Sequence, residues 1–163
     1  MAMFKALPTR PLGRNGPLVP RLGLGLMGAS GMYGSTLSDE EGMIFLDEAY
    51  KRGERFWDTG KRPSRTQIWI RSHKPRSNAD VFEADKYFNS EELLGKWFAA
   101  NPEKRKDIFL ATKFGIKTIG TPPGHTMDSS PEYCCECIEK SLDRLGLPYV
   151  DLYYVHRLAK VTP

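Results

Sequence analysis

The stretch SLDRLGLPYVDLYYVHR, residues 141–157, decides the fold that we predict for this chain. Gly146 stands where a helix commonly ends in the left-handed conformation, and Pro148 prevents the helix from continuing. The aromatic and β-branched run 149–155 then predicts a buried parallel strand. The helix itself is indicated by an apolar stripe at helical spacing, formed by Cys134, Ile138, Leu142 and Leu145.

His156 and Arg157 follow this strand directly. Because parallel α/β folds bind ligands at the carboxyl ends of their strands, the pair is predicted to belong to a site. The whole stretch closely resembles the aldo-keto reductases, whose fourth barrel strand ends in a histidine after a similar DLYYVHR run.

Three further stretches carry the same resemblance: Phe56–Thr59 (FWDT), residues 84–97 (ADKYFNSEELLGKW) and Thr112–Gly115 (TKFG). Members of the family fold as an eight-stranded (β/α)8 TIM barrel. The resemblance therefore implies an α/β fold corresponding to the first half of that barrel, with an N-terminal hairpin, four strands and three helices. We expect one truncated domain over residues 1–163.

Local patterns indicate the same order of elements. Turn residues at 13–16 predict a hairpin within residues 4–20, and a serine with a glutamate three residues later predicts a helix capped by Ser38. Two later helices are expected from caps at Asn89 or Ser90 and at Ser130. Strands are predicted at 21–28, 55–59 and 108–112, and a glycine- and proline-rich loop before Ser130.

A basic tract over residues 60–83 interrupts the family pattern. Its six basic and two acidic residues account for the net charge of +4 of the chain. It shows no sustained helix or strand period and divides a motif that is otherwise intact. We interpret it as an insert, with a retained intron as the hypothesis, and predict no nucleic-acid partner, because the charge is confined to one local tract.

The resemblance implies a catalytic set of Asp58, Tyr87, Lys113 and His156. A tyrosine, whose ordinary pKa is about 10, is a poor acid at neutral pH unless a cation stabilises its phenolate. In the implied roles Tyr87 is the acid, Lys113 supplies the cation, Asp58 holds the lysine, and His156 donates to the substrate oxygen.

Glycines in LGLGLMG, residues 22–28, allow a ligand to approach the backbone closely. The resemblance places the nicotinamide of NADPH against Gly25, Leu26 and Met27, with Asp58 beside it. In this family the groups that bind the adenosine phosphate lie in the second half of the barrel. We therefore expect this truncated chain to be impaired or inactive.

The resulting hypothesis is an NADPH-dependent oxidoreductase that reduces a small aldehyde or ketone. One alternative is a non-catalytic, nicotinamide-binding regulatory module like the channel-associated members of the family, and another is an inert, mis-spliced fragment. A half-barrel also leaves an open sheet edge, through which the chain is expected to associate with itself.

Composition excludes several classes of protein. No apolar run approaches 18 residues and the start does not resemble a signal peptide, so we expect a cytoplasmic protein without a membrane span. The three cysteines, Cys134, Cys135 and Cys137, crowd one helical turn. They lack the spacing of a zinc site, so no metal is predicted.

Overall fold

The computed structural model describes residues 7–29, 37–60, 90–118 and 125–159. An antiparallel hairpin of β1 (Thr9–Pro11) and β2 (Leu18–Pro20) opens it, and Gly13 takes a positive φ of 81° in the turn. The predicted hairpin is thereby confirmed. Residues 61–83 of the basic tract and Tyr87 lie outside the described residues.

Four parallel strands form the central sheet of the described part of the chain. The strands after the hairpin are β3 (Leu24–Gly25), β4 (Phe56–Asp58), β5 (Phe109–Phe114), β6 (Ile116–Thr118), β7 (His125–Met127) and β8 (Leu152–Val155). The sheet has the order β3-β4-β5-β8, and every neighbouring pair is parallel. This is the arrangement predicted for alternating strands and helices.

Within the described residues, three α-helices connect these strands: α1 (Asp39–Lys51), α2 (Ser90–Ala100) and α3 (Pro131–Leu145). The capping box at the start of α1 is present, with Ser38 Oγ accepting from Glu41 N. Ser130 Oγ accepts from Tyr133 N at the start of α3, and Gly146 ends that helix at φ 62°. The part of the chain that the structure describes also contains two 3₁₀ helices, Leu26–Gly28 and Pro102–Asp107.

Four local predictions are corrected by the structure. The strand predicted at 21–28 is only β3, because the chain turns into a 3₁₀ helix at Leu26. The loop predicted before Ser130 contains the antiparallel pair β6 and β7. The strand predicted as buried over 149–155 is β8, which is half-buried because within the described part of the chain it has a strand neighbour on one side only.

The fourth correction concerns the buried face of α3. Leu145 is buried as predicted, but Cys134, Ile138 and Leu142 are only half-buried. Tyr133 and Ser141 are the other two buried residues of the helix. The buried face is therefore rotated from the predicted apolar stripe.

The hydrophobic core lies between the sheet and the helices. Trp57 of β4 and Trp97 of α2 are both fully buried, and their ring centroids lie 4.9 Å apart. The other buried members are Leu26, Leu46, Ala49, Leu94, Phe98, Ile108, Leu110 and Leu145. Because side chains alternate along a strand, the residues next to Trp57 and Leu110 lie on the opposite face, which we call the inner face.

Candidate active site

Asp58 and Lys113 form an ion pair on the inner face. Asp58 is the last residue of β4 and is in register with Ala111, so Lys113, two residues further along β5, lies on the same face. Lys113 Nζ donates to both carboxylate oxygens of Asp58 at 2.8 Å. The lysine side chain is 11% exposed and the aspartate side chain 34%, so the pair is only partly shielded from water.

The lysine is held by two neighbours that sequence reasoning missed as site residues. Its Nζ also donates to the carbonyl oxygen of Thr59 at 2.7 Å. Gly60, predicted as the first residue of the insert, packs directly against it, because a Cβ built at Gly60 would lie 2.7 Å from Lys113 Cγ. The sequence feature that could have indicated this contact is Gly60 itself, which directly follows Asp58 and Thr59.

Tyr154 is a third missed residue of the site. It is in register with Lys113 in the β5–β8 pair, and its hydroxyl donates to Asp58 Oδ1 at 2.9 Å. Lys113 Nζ lies 5.3 Å from the centroid of the tyrosine ring. Burial and the neighbouring Asp58 carboxylate raise the pKa of Tyr154 above its ordinary value, so the phenol stays protonated near neutral pH.

The other predicted site residues that the structure describes are Gly25, Leu26, Met27 and His156. Gly25 is in register with Asp58, and Met27 is half-buried in the 3₁₀ helix that follows. Leu26 is 1% exposed and belongs to the core, so only its backbone could face a ligand. His156 follows β8, and its backbone N–H donates to Phe114 O at 2.7 Å.

An open pocket of about 400 Å³ lies on the inner face beside the pair. Its lining is formed by Gly23, Gly25, Phe56, Asp58, Ala111, Leu152 and Tyr154. Asp58 and Tyr154 supply the only polar side chains among these residues. A mostly apolar pocket with a few polar groups on one side is the usual form of a small-molecule site.

The start of α2 is tied to the strand ends next to the ion pair. Ser90 Oγ lies 2.8 Å from Thr59 Oγ1, and both residues are buried. Glu91, also fully buried, accepts hydrogen bonds from Thr112 Oγ1 and Arg144 Nε, each at 2.7 Å. These contacts fix where α2 begins relative to β4, β5 and α3.

Among residues 7–29, 37–60, 90–118 and 125–159, no group of three or more His, Cys, Asp or Glu could hold a metal ion. The three cysteines are free thiols. None of the helices in the described part of the chain has the length and apolarity needed to cross a lipid bilayer.

Comparison with known proteins identifies a family. The family model for the "Aldo/keto reductase family" matches residues 21–163. An aldo-keto reductase of Strobilurus tenacellus is 40% identical over an alignment of 162 positions, which covers 96% of this chain and 38% of that protein. An aldo-keto reductase of Schizosaccharomyces pombe, whose name specifies NADP(+), is 34% identical over 97% of this chain and 39% of its own length.

The fold agrees with these sequence matches. The holo form of an aldo-keto reductase from Bacillus halodurans superposes with a TM-score of 0.62 at 25% identity, covering 91% of this chain and 40% of that one. The described α/β structure with its parallel sheet is thus a partial (β/α) barrel, as predicted. The chain spans well under half the length of these relatives.

Proposed function

Because this chain belongs to the aldo/keto reductase family, we propose that its site serves the NADPH-dependent reduction of an aldehyde or ketone to an alcohol. The observation that carries the proposal is the Asp58–Lys113 ion pair on the inner face, at the ends of adjacent parallel strands. A fixed ammonium group can lower the cost of forming a phenolate or alkoxide beside it.

The proposed position of the nicotinamide ring is the inner face beside Gly25. A Cβ built at Gly25 would meet no heavy atom within 4 Å, so the space beside Asp58 at this position is open. Gly25, the backbone of Leu26 and Met27 are proposed to hold the nicotinamide, with Asp58 beside it. When bound, NADPH supplies the hydride. The choice of NADPH is supported by the NADP(+) in the name of the Schizosaccharomyces pombe relative.

The proposed proton donor is Tyr87. It precedes Ser90 by three positions, and three extended residue steps span at most about 11 Å. Ser90 is hydrogen-bonded to Thr59, whose carbonyl oxygen accepts from Lys113. The length of the chain therefore allows the phenol to reach the ammonium group, which would stabilise its phenolate.

His156 is proposed to donate to the substrate oxygen. It follows Tyr154 by two residues and lies beyond the end of β8, at the same edge of the sheet as Asp58. A donor there would stabilise the charge that develops on a carbonyl oxygen. The aldehyde or ketone is thus proposed to bind in the apolar pocket between β3 and β8.

The activity of this chain by itself is proposed to be impaired. It covers 38% of the Strobilurus tenacellus relative, so most of the length of that protein has no counterpart here. The two outer strands of the sheet, β3 and β8, are also the places where self-association is proposed to occur. Light scattering over a concentration series tests that association, and imaging of a tagged chain tests the proposed cytoplasmic location.

The reaction is tested with two proteins. One is this chain, and the other lacks residues 61–83 and carries the C-terminal part of the Strobilurus tenacellus relative. We expect NADPH oxidation with a panel of aldehydes from the fused protein only, and its loss in the fused Lys113→Met variant. A folded fusion that binds NADPH without turnover would favour a regulatory module, and full activity of the Lys113→Met variant would refute the proposed site.

A further inference from the structure

Tyr154 contacts the same carboxylate that binds the lysine. Asp58 Oδ1 accepts from Lys113 Nζ at 2.8 Å and from the Tyr154 hydroxyl at 2.9 Å. The remaining carboxylate oxygen accepts from Lys113 at 2.8 Å. Oδ1 thus has two donors from two different strands, β5 and β8.

The ammonium group of Lys113 is fully used in this arrangement. It has three N–H donors, and three acceptors lie within 2.8 Å: the two oxygens of Asp58 and the carbonyl oxygen of Thr59. To donate to a phenolate or a substrate oxygen, Lys113 must withdraw one of these N–H groups. The acceptor that loses it needs another donor, because a partly buried carboxylate oxygen without one is costly.

We propose that Tyr154 is a positioning residue of the reductase site, which keeps the Asp58 carboxylate in place while Lys113 turns an N–H towards the reacting oxygens. The inference rests on the proposed function. It assigns no proton transfer to Tyr154 and leaves that role with Tyr87.

The environment of Tyr154 suits a permanent donor. Among the described residues, the charged groups that face its ring and hydroxyl are Asp58 from β4 and Lys113 from β5. Burial, followed by the charge and hydrogen bond of Asp58, raises the pKa of the phenol. A phenol that holds its proton more tightly than usual is a poor acid but a dependable hydrogen-bond donor across the neutral pH range.

Tyr153 provides the matched control. It is the preceding residue of the same strand, and its hydroxyl donates to Cys134 O of α3, on the helix side of the sheet, at 3.1 Å. Tyr154→Phe and Tyr153→Phe therefore remove the same atom from opposite faces. Each also removes one hydrogen bond, so a purely structural effect should be similar in the two variants.

The first experiment needs no activity and uses this chain. Tyrosine is labelled at ¹³Cζ, the two Phe variants assign the two resonances, and each phenol is titrated by NMR. In Asp58→Asn the pKa of Tyr154 is expected to fall towards its ordinary value, since the carboxylate no longer opposes the phenolate. The pKa of Tyr153 should be unchanged. An unchanged Tyr154 titration would overturn the proposal.

The second experiment measures turnover in the fused protein. Loss of one hydrogen bond to a charged group corresponds to about a tenfold change, so Tyr154→Phe should lower kcat by about tenfold with KM little changed. The pH profile of kcat should also shift in Tyr154→Phe. In Tyr153→Phe, both kcat and its pH profile should be unchanged. Equal effects of the two variants would refute the positioning role while the reductase proposal stands. An inactive parent would refute the reductase proposal, and the NMR titration would still decide whether Tyr154 holds Asp58.

Discussion

Replacing Arg144 by methionine is expected to destabilise the fold, because the buried Glu91 carboxylate loses its cationic partner. Glu91 is completely buried at the start of α2, and Arg144 Nε and Nη2 lie 2.7 Å and 2.6 Å from its Oε2. Methionine retains apolar packing volume but removes the cation. The hydrogen bond from Thr112 Oγ1 remains.

The size of the effect follows from the burial of the pair. Breaking a buried ion pair by removing one partner costs about 3–5 kcal/mol. Because the Arg144 side chain is 18% exposed, we expect the lower end, about 3 kcal/mol. For a chain of this size that corresponds to a fall in Tm of about 6–12 °C, measured by circular dichroism.

Lys140→Met is the control on the same helix. Its ion pair with Glu136 is exposed, at 53% and 52% of the two side chains, so its loss should cost less than about 1 kcal/mol. The double variant Glu91→Gln with Arg144→Met should recover part of the loss, because a neutral amide needs no counter-charge. The reasoning fails if Arg144→Met lowers Tm no more than Lys140→Met does.

Three further predictions concern the site and the pH dependence of stability. Lys113→Met in the fused protein should lower kcat for aldehyde reduction by about two to four orders of magnitude, followed as NADPH oxidation. Gly60→Ala should displace Lys113, whose Cγ would lie 2.7 Å from the new Cβ. A displacement of about 1 Å costs about a hundredfold in kcat. Hydrogen bonds from Ser130 and Lys117 lower the pKa of Asp128 from 3.8 to about 2. The ionised Asp128 carboxylate therefore stabilises the fold above its ordinary pKa of 3.8, and this stabilisation is lost as the pH falls towards 2. Asp128→Asn should therefore flatten the decline of the unfolding free energy between about pH 4 and pH 2, measured by urea unfolding at each pH.

The order of the elements could be predicted from the sequence because local chemistry determines it. The cap at Ser38 needs only Glu41, three residues on, and the end of α3 needs only a glycine that adopts φ 62°. The neighbouring residues alone supply these contacts. Asp58 and Lys113 were found through the family resemblance, and the structure places them in contact.

What could not be predicted depends on partners distant in sequence. Glu91 has the pattern of an exposed acid in the first turn of a helix, yet it is buried against Arg144, 53 residues away. The buried face of α3 is shifted for a related reason. A Cβ on Gly95 would lie 2.3 Å from Arg144 O, so the two helix backbones approach each other beside that residue, and the small Ser141 is buried.

Alternation along the strands separates the residues that stabilise this chain from those proposed to react. Trp57 packs in the core, and Asp58, its immediate neighbour, lies on the inner face. A register shift of one residue within β4 would turn the Asp58 carboxylate towards the core and the Trp57 side chain towards the inner face. Extra sequence between Gly60 and Tyr87 keeps the side-chain alternation of the described strands. Insertions there that leave residues 87–90 intact are therefore compatible with the same site, whereas a single codon gained within a strand is not.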